Sequence, residues 1–266
     1  MSHTRQQFVD VNITGTLTLL EAAVVADVRC FVYTSTTSVY GDTLEPAPRG
    51  PAVWITEESI PSCKNIYGVT KLAAEDMCQL FHRNHPPLSC VVLRTSRFFP
   101  EGDDVPSDYA DGNDKANEYL YRRAELQDIV DAHLLAADSS RSGVAVDRAF
   151  RKYIISATTP FTPADVVELR TDALGVVMRY HPDMAEVYGR LQWKMYPSFG
   201  RVYDNRRARE ELGWRPKYDF GFVLSELRRQ LDEHSVAGGS GDVGGEITIR
   251  SPMAEVVGMK MYHRDE

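Results

Sequence analysis

The chain has 266 residues, of which 43% are hydrophobic and 26% charged, and its formal net charge at pH 7 is -8. This length allows one large domain or two small ones with a sizeable core. The acidic balance argues against a general nucleic-acid or anionic-membrane surface. No apolar run approaches the roughly twenty residues that a membrane span requires, and the first residues carry no apolar signal segment. We therefore expect a cytoplasmic protein.

Cysteine and histidine placement gives no sign of a disulfide framework or a metal site. Cys30 and Cys90 lie in apolar, strand-like runs, and none of the four cysteines forms a Cys-x-x-Cys pair. We predict that Cys30 and Cys90 are reduced core residues. His82 and His85 lack a third or fourth ligand partner in the sequence, so we expect no metal.

The first predicted element is a helix over residues 6–26, with an apolar side that includes Phe8 and Leu20. A short buried strand, Cys30–Tyr33, follows it. This strand runs into a hydroxyl-rich segment, Thr34-Ser35-Thr36-Thr37-Ser38, which ends at a turn near Gly41. The sequence therefore places a group of hydroxyls at the carboxyl end of a strand.

The next predicted helix, over residues 67–84, carries Tyr67 and Lys71. Their spacing of four puts both side chains on one helix face. An ammonium close to a phenol favours the phenolate, and such a Tyr can exchange a proton with a substrate hydroxyl. Taken alone, the spacing is more typical of a solvated helix face, and only the upstream hydroxyl cluster favours the catalytic interpretation.

The order of strand, hydroxyl cluster and Tyr-x-x-x-Lys helix resembles the extended short-chain dehydrogenase/reductase family, which includes NAD-dependent epimerases and dehydratases of the UDP-galactose 4-epimerase type. The resemblance implies that Thr36 is the catalytic hydroxyl, that Tyr67 is the acid/base, and that Lys71 binds the nicotinamide ribose of NAD or NADP and tunes Tyr67. It also implies a set of cofactor-binding residues. That set is Asn12, Thr34, Ser35, Tyr67, Lys71 and Arg94.

In the family, a glycine-rich turn and further strand–helix units precede the helix that carries Asn12, and that turn holds the cofactor pyrophosphate. No such turn precedes Asn12 in this sequence. The run from Gly238 to Gly244 matches the glycine pattern, but it follows a helix instead of a strand, so we interpret it as a flexible linker. We expect an α/β fold, a partial Rossmann fold (doubly wound parallel sheet) that lacks its first strands, with doubtful cofactor affinity.

Residues 42–64 are predicted to form a Pro-rich loop, and Ser89–Leu93 the next buried strand. Arg97 then stands where epimerases of the family have a substrate-contacting Asn. A cation in a cleft suggests an anionic substrate; a surface ion pair with the acidic residues near 101–104 is an equally good interpretation. Arg201 occupies a place where the family can have a phosphate-binding Arg, so Thr36, Arg97 and Arg201 form the predicted substrate contacts.

Further along, we predict a polar stretch with a short helix over 101–124, a helix over 125–137, a strand at Tyr153–Ser156, a helix that begins at Thr162, and a last helix over 220–234. The ending Leu212-Gly213-Trp214-Arg215-Pro216 resembles the near-C-terminal signature of the family, and there Trp214 is expected in the core. His133 is expected to be structural.

The predicted domain organisation is interleaved. Residues 1–96 and 125–157 form the remaining part of the NAD(P)-binding domain, residues 97–124 and 158–234 form a small α/β substrate lobe, and residues 235–266 form a flexible tail. In the strand order of a Rossmann sheet, the absence of the first strands leaves one edge of the Cys30–Thr34 strand open. An open edge invites pairing, so we expect poor solubility, a homodimer or a partner that supplies strands.

Two functions remain open. The first is an NAD(P)-dependent epimerase/dehydratase-type oxidoreductase that acts on a hydroxyl or carbonyl of a small, possibly sugar-like molecule with the Thr36, Tyr67 and Lys71 set. The second is a truncated, catalytically inactive remnant of the family, or an interaction protein with little cofactor affinity.

Overall fold

The computed structural model describes residues 4–98, 111–138 and 150–236, without side chains at 111 and 234–236. The Gly238–Gly244 run and nearly all of the predicted tail lie outside the described residues, as do the acidic residues near 101–104. The strands are β1 (Cys30–Thr36), β2 (Val53–Ile55), β3 (Ser89–Thr95), β4 (Phe150–Ile155) and β5 (Arg201–Tyr203). The α-helices are α1 (Arg5–Val9), α2 (Gly15–Val25), α3 (Ile66–Asn84), α4 (Asp111–Glu118), α5 (Leu126–Ala137), α6 (Ala173–Tyr180), α7 (Met184–Leu191), α8 (Arg206–Glu211) and α9 (Phe220–Val236).

The main sheet is parallel and has the strand order β1-β3-β4. Its register pairs Cys30 with Ser89 and Thr36 with Thr95, so β1 and β3 end at the same level. Within the described ranges, β1 has a paired neighbour on one side only, which confirms the prediction that this strand lies at an edge. The carboxyl ends of β1 and β3 therefore lie side by side.

Strand β3 is buried along its whole length because helices cover both faces of the sheet. Cys90 and Val92 pack on one face with Leu20 of α2 and Cys78 of α3. Val91 and Leu93 pack on the other face with residues of α5 and α8. The alternation of β3 side chains thus joins two cores into a three-layer α/β/α arrangement, as predicted for a Rossmann-type sheet.

A second, two-stranded parallel sheet pairs β2 with β5. The predicted loop over 42–64 therefore contains a strand, and that part of the prediction was wrong. The strand has only three residues, lies in a Pro-rich stretch, and finds its partner far along the chain, so no local pattern indicated it. A third hydrophobic core cluster, the largest, contains residues of α4, α6, α7 and α9 together with Val202 of β5.

The predicted helix over residues 6–26 is present, with a π-helical segment, Asp10–Thr14, between α1 and α2. By length and composition alone, the continuous helix Arg5–Val25 would also suffice to cross a membrane, which the sequence interpretation did not anticipate. In this fold Leu20 belongs to the core beside β1, and Ala23 is also buried.

The segment after α8 confirms the predicted core position of Trp214, whose Nε1 donates a hydrogen bond of 2.8 Å to the carbonyl oxygen of Asp128. The Asp128 carboxylate accepts from the backbone N–H groups of Lys217 and Tyr218. The predicted helix at Thr162 is wrong: only a 3-10 turn, Pro163–Asp165, forms there. The Asp165 side chain caps this turn by accepting from the N–H of Thr162 at 2.8 Å.

Candidate functional site

A cavity of about 460 Å³ lies at the carboxyl ends of β1 and β3, where β5 also ends. It contains all three predicted catalytic residues, Thr36, Tyr67 and Lys71. The predicted contacts that also line it are Thr34, Ser35, Arg97 and Arg201. Lining residues that the sequence interpretation missed include Ser38, Ser96, Arg122 and Tyr203. Within the described parts of the chain, no group of three or more His, Cys, Asp or Glu side chains is arranged to hold a metal ion.

Thr36 is the last residue of β1 and the N-cap of the 3-10 helix Thr37–Tyr40. Its Oγ1 accepts a hydrogen bond of 3.1 Å from the backbone N–H of Ser38 and donates to Ser38 Oγ at 3.2 Å. Gly41 ends this helix with a φ of +48°, and a Cβ there would lie 1.9 Å from the carbonyl oxygen of Ser62. The backbone therefore holds the Thr36 and Ser38 hydroxyls together at the cavity.

The start of α3 is fixed against this hydroxyl-rich turn. Asn65 caps the helix by accepting from the Gly68 N–H at 2.8 Å. A Cβ at Gly68 would lie 2.9 Å from the Ser38 carbonyl oxygen, so the helix approaches the turn as closely as glycine permits. Tyr67 precedes this glycine, and its ring lies 6.0 Å from the ring of Phe8. The close approach brings Tyr67 to the cavity beside the Thr36 strand end.

Lys71 is one turn further along α3, and its ammonium points to β1. Nζ donates to the carbonyl oxygen of Thr34 at 2.5 Å and lies 4.4 Å from the centre of the Tyr33 ring. Burial lowers the pKa of Lys71 from its ordinary value, and the nearby Glu75 carboxylate opposes this shift. The predicted cation is therefore present at the cavity and held in a defined place.

Arg94 is almost fully buried and is not among the cavity-lining residues, so its cofactor contact stays a prediction. Its guanidinium pairs with Glu75, 2.6 Å between Nη2 and Oε2, and both side chains are almost fully buried. Arg94 Nη1 donates to Tyr40 Oη at 3.0 Å. Ser35 Oγ donates to Glu75 Oε1 at 2.5 Å. This buried network connects the floor of the cavity to α3, the helix of Tyr67 and Lys71.

Asn12 lies in the π-helical segment and is not among the cavity-lining residues. Its side-chain amide donates a hydrogen bond of 2.9 Å to Thr70 Oγ1 on α3. Its cofactor contact stays a prediction. The observed bond ties the first helix to the turn of α3 that follows Tyr67.

Arg97, Arg122 and Arg201, which we call the arginine cluster, give the cavity a cationic wall. The Glu118 carboxylate is almost fully buried and bridges two of them, at 3.0 Å from Arg97 Nη1 and 2.5 Å from Arg122 Nη2. The described cavity-lining residues include four cations, counting Lys71, and no carboxylate. In a chain with a net charge of -8, this local concentration of positive charge favours an anionic ligand.

His133 of α5 contacts the opposite side of β1. Its Nε2 lies 2.7 Å from Thr34 Oγ1, and its Nδ1 lies 2.8 Å from the Ile129 carbonyl oxygen. A carbonyl only accepts, so Nδ1 carries the proton and Nε2 accepts from the Thr34 hydroxyl. These bonds match the structural role that we predicted for His133.

The residues present fit the nicotinamide end of a dinucleotide. Lys71 offers an ammonium, anchored on the Thr34 carbonyl oxygen, at the strand end where a Rossmann-type fold holds its cofactor. Among residues 4–98, 111–138 and 150–236, no glycine-rich turn joins a strand to a helix. The fit is therefore limited to the nicotinamide ribose.

A parallel sheet between helix layers, with a Tyr-x-x-x-Lys helix beside a hydroxyl-rich strand end, defines a Rossmann-type α/β protein. A model of the NAD dependent epimerase/dehydratase family matches residues 2–130. Over these residues the chain is similar to that family.

Curated relatives show the same similarity. The dTDP-glucose 4,6-dehydratase of Streptomyces antibioticus is 31% identical over 233 residues, which cover 80% of this chain and 60% of the relative. The UDP-glucose 4-epimerase of Rhizobium meliloti is 26% identical over 249 residues, which cover 81% of this chain and 68% of that relative. The chain thus spans about 60% of the dehydratase.

Solved structures share the fold at low identity. A short-chain dehydrogenase/reductase superfamily protein from Agrobacterium tumefaciens with bound NAD has a TM-score of 0.55 and 21% identity, covering 90% of this chain and 79% of that one. The UDP-N-acetylglucosamine 4-epimerase of Bacillus cereus has a TM-score of 0.52 and 18% identity, and the match covers 86% of this chain and 72% of that one. These likenesses support the Rossmann-type fold.

Proposed function

We propose that this chain is an NAD(P)-dependent epimerase/dehydratase-type enzyme that acts on a hydroxyl of an anionic, sugar-nucleotide-like substrate. The observation that carries the proposal is the meeting of Thr36, Tyr67 and Lys71 at one cavity. The family supports NAD as the cofactor. We propose a cytoplasmic enzyme without nucleic-acid or membrane partners, and a homodimer or a strand-supplying partner remains part of the proposal.

Each of the three residues has a chemical role that its position allows. Tyr67 takes the proton from the substrate hydroxyl and later returns it. The Thr36 hydroxyl, held by Ser38, orients the same substrate oxygen. Lys71 places a positive charge at the cavity and binds the nicotinamide ribose. A bound NAD would supply the hydride acceptor for the carbon that carries the hydroxyl.

The arginine cluster holds the anionic part of the substrate. Arg97 and Arg122 keep a defined geometry because both bond to Glu118. Arg201 lies over the rings of Tyr121 and Tyr203, at 5.7 and 5.9 Å from their centres. Guanidinium groups bind phosphate and carboxylate oxygens in a bidentate manner, so a cluster of three favours a substrate with more than one negative charge.

The test is turnover by the full chain with NAD and either dTDP-glucose or UDP-glucose, the sugar nucleotides in the names of two relatives. Products are identified by proton NMR. We expect conversion of one sugar nucleotide, with at least a ~100-fold loss in Tyr67→Phe. Tyr218→Phe, a substitution outside the cavity, is the matched control.

The alternative is an inactive remnant or an interaction protein with little cofactor affinity. It predicts no product from either sugar nucleotide and no difference between Tyr67→Phe and Tyr218→Phe. Equal turnover in the two variants would also contradict the proposed role of Tyr67.

A further inference from the structure

The ring of Tyr33 forms a surface beneath the Lys71 ammonium. Nζ lies 4.4 Å from the ring centre, within the distance at which a cation is attracted to an aromatic face. Tyr33 belongs to β1 and is buried, whereas Lys71 projects from α3. The contact therefore joins the strand of the Thr36 hydroxyl to the helix of Tyr67.

A second anchor comes from the residue after Tyr33, because the Thr34 carbonyl oxygen accepts from Lys71 Nζ. Thr34 is itself held from the other side of the strand by His133, at 2.7 Å. The position of the carbonyl is therefore fixed. A lysine side chain has four rotatable bonds, and an ammonium needs such anchors to occupy one place.

The other influences on the pKa of this ammonium are burial and nearby charge. Glu75 and Cys78 lie on α3 with Lys71, and burial of Lys71 disfavours its cationic form. The Glu75 carboxylate is already paired with Arg94 and accepts from Ser35. The electron-rich face of the Tyr33 ring is thus an additional source of stabilisation for the Lys71 cation at the cavity.

We propose that Tyr33 is a positioning residue, whose ring face holds the Lys71 ammonium where it meets the cofactor ribose and Tyr67. The cofactor part of this role rests on the proposed function, whereas the contact itself belongs to the chain without cofactor. If the ring only filled the core between α2, α3 and β3, a change in its charge distribution at constant shape would leave the pKa of Lys71 unchanged.

The test changes the charge distribution of the ring and keeps its shape. Tyr33 is replaced in the full chain by phenylalanine and by its mono-, di- and trifluorinated analogues, which progressively weaken the negative ring face. The pKa of Lys71 is followed by NMR of isotopically labelled lysine, and its resonance is assigned by its loss in Lys71→Arg. The same replacements at Phe150, whose ring lies 5.8 Å from Lys152 Nζ, are the matched control.

We expect the pKa of Lys71 to fall stepwise with fluorine number, by about half a unit to one unit in total, and to stay unchanged in the Phe150 series. A Lys71 pKa that does not depend on fluorine number, or that rises, would overturn the proposal. NADH affinity is measured on the same samples. If the pKa falls stepwise and NADH does not bind, the positioning contact stands and the proposed function fails.

Discussion

At the scale of single residues, the cavity depends on a charge pair that never contacts a ligand. Glu75 accepts from Arg94 and from Ser35 beneath the cavity, and it lies one helical turn after Lys71. The pair therefore connects β1, β3 and α3 at the level where Thr36, Tyr67 and Lys71 meet. Removing one member of a buried pair leaves the other charge without compensation.

We predict that Glu75→Gln lowers the free energy of unfolding by about 3–5 kcal/mol, because it leaves the buried Arg94 guanidinium without its counter-charge. Urea unfolding at neutral pH measures this change. Glu58→Gln is the matched control, since Glu58 pairs with Arg207 at an exposed site and should lose less than about 1 kcal/mol. Equal losses in the two variants would contradict the role given to the Glu75–Arg94 pair.

At the scale of elements, the first turn of α3 is placed by a close backbone contact. Gly68 faces the Ser38 carbonyl oxygen, and a Cβ there would lie 2.9 Å from it, with Cys63 at 3.4 Å. Both neighbours belong to segments that are hydrogen-bonded elsewhere, since Cys63 Sγ donates to the Val39 carbonyl at 3.2 Å. The helix must therefore move to admit a methyl group.

We predict that Gly68→Ala lowers the free energy of unfolding by about 1–3 kcal/mol through overpacking and displaces Tyr67 from the hydroxyl-rich turn. Thermal unfolding and turnover measure the two effects. Gly189→Ala in α7 is the control, because a Cβ there has no neighbour within 4 Å. We expect this control to be neutral or stabilising, since alanine is the better helix former. Full activity and stability in Gly68→Ala would contradict the account.

The contact between α5 and the segment after Trp214 should make the stability of the protein depend on pH. Burial raises the pKa of Asp128 from 3.8 to about 6, although two backbone N–H groups oppose the shift. The folded state then holds the proton more tightly than the unfolded state. Stability therefore decreases as pH rises through the window from about 4 to about 6.

We predict that Asp128→Asn reduces this pH dependence, because an amide does not ionise and its oxygen still accepts from Lys217 or Tyr218. The stability of the variant relative to the original chain should increase by up to about 3 kcal/mol between pH 4 and pH 6.5. Urea midpoints across this range provide the measurement. Asp76→Asn, at an exposed position on α3, is the control. If the urea midpoints of both variants changed with pH in the same way, this role for Asp128 would be ruled out.

At the scale of the whole molecule, the main feature is the open side of β1. This seven-residue strand pairs only with β3 among the described residues, so half of its backbone groups lack a strand partner. Exposed strand edges are templates for pairing with other chains. The edge also lies beside the cavity, since Thr34, Ser35 and Thr36 line it.

We predict that alternate amides of β1 exchange with deuterium at least about 100-fold faster than the amides of β3, because opening an unpaired edge requires little unfolding. Residue-resolved hydrogen exchange measures the two strands in one sample. Strand β3, paired on both sides, is the internal reference. Uniform protection in both strands would show that another chain or segment covers the edge in solution.

Parts of this site could be predicted from sequence because their spacing is local. Tyr67 and Lys71 share a helix face through a spacing of four, and Thr36 follows a recognisable apolar strand. The arginine cluster could not be predicted as a unit. Arg97, Arg122 and Arg201 are far apart in the chain and meet through a buried Glu118 and through the β2–β5 pair. The pairing of Arg94 with Glu75 could not be predicted from sequence either, because it depends on how β3 packs against α3.

The most direct test of the central claim is calorimetric binding of NAD(H) and NADP(H) to the purified chain, with Lys71→Ala and Tyr67→Phe alongside. We predict binding with a Kd on the order of 0.1–1 mM, weakened at least about tenfold in Lys71→Ala and little changed in Tyr67→Phe. Absence of binding at millimolar cofactor, or equal affinity in Lys71→Ala, would contradict the assignment of this cavity to the nicotinamide ribose.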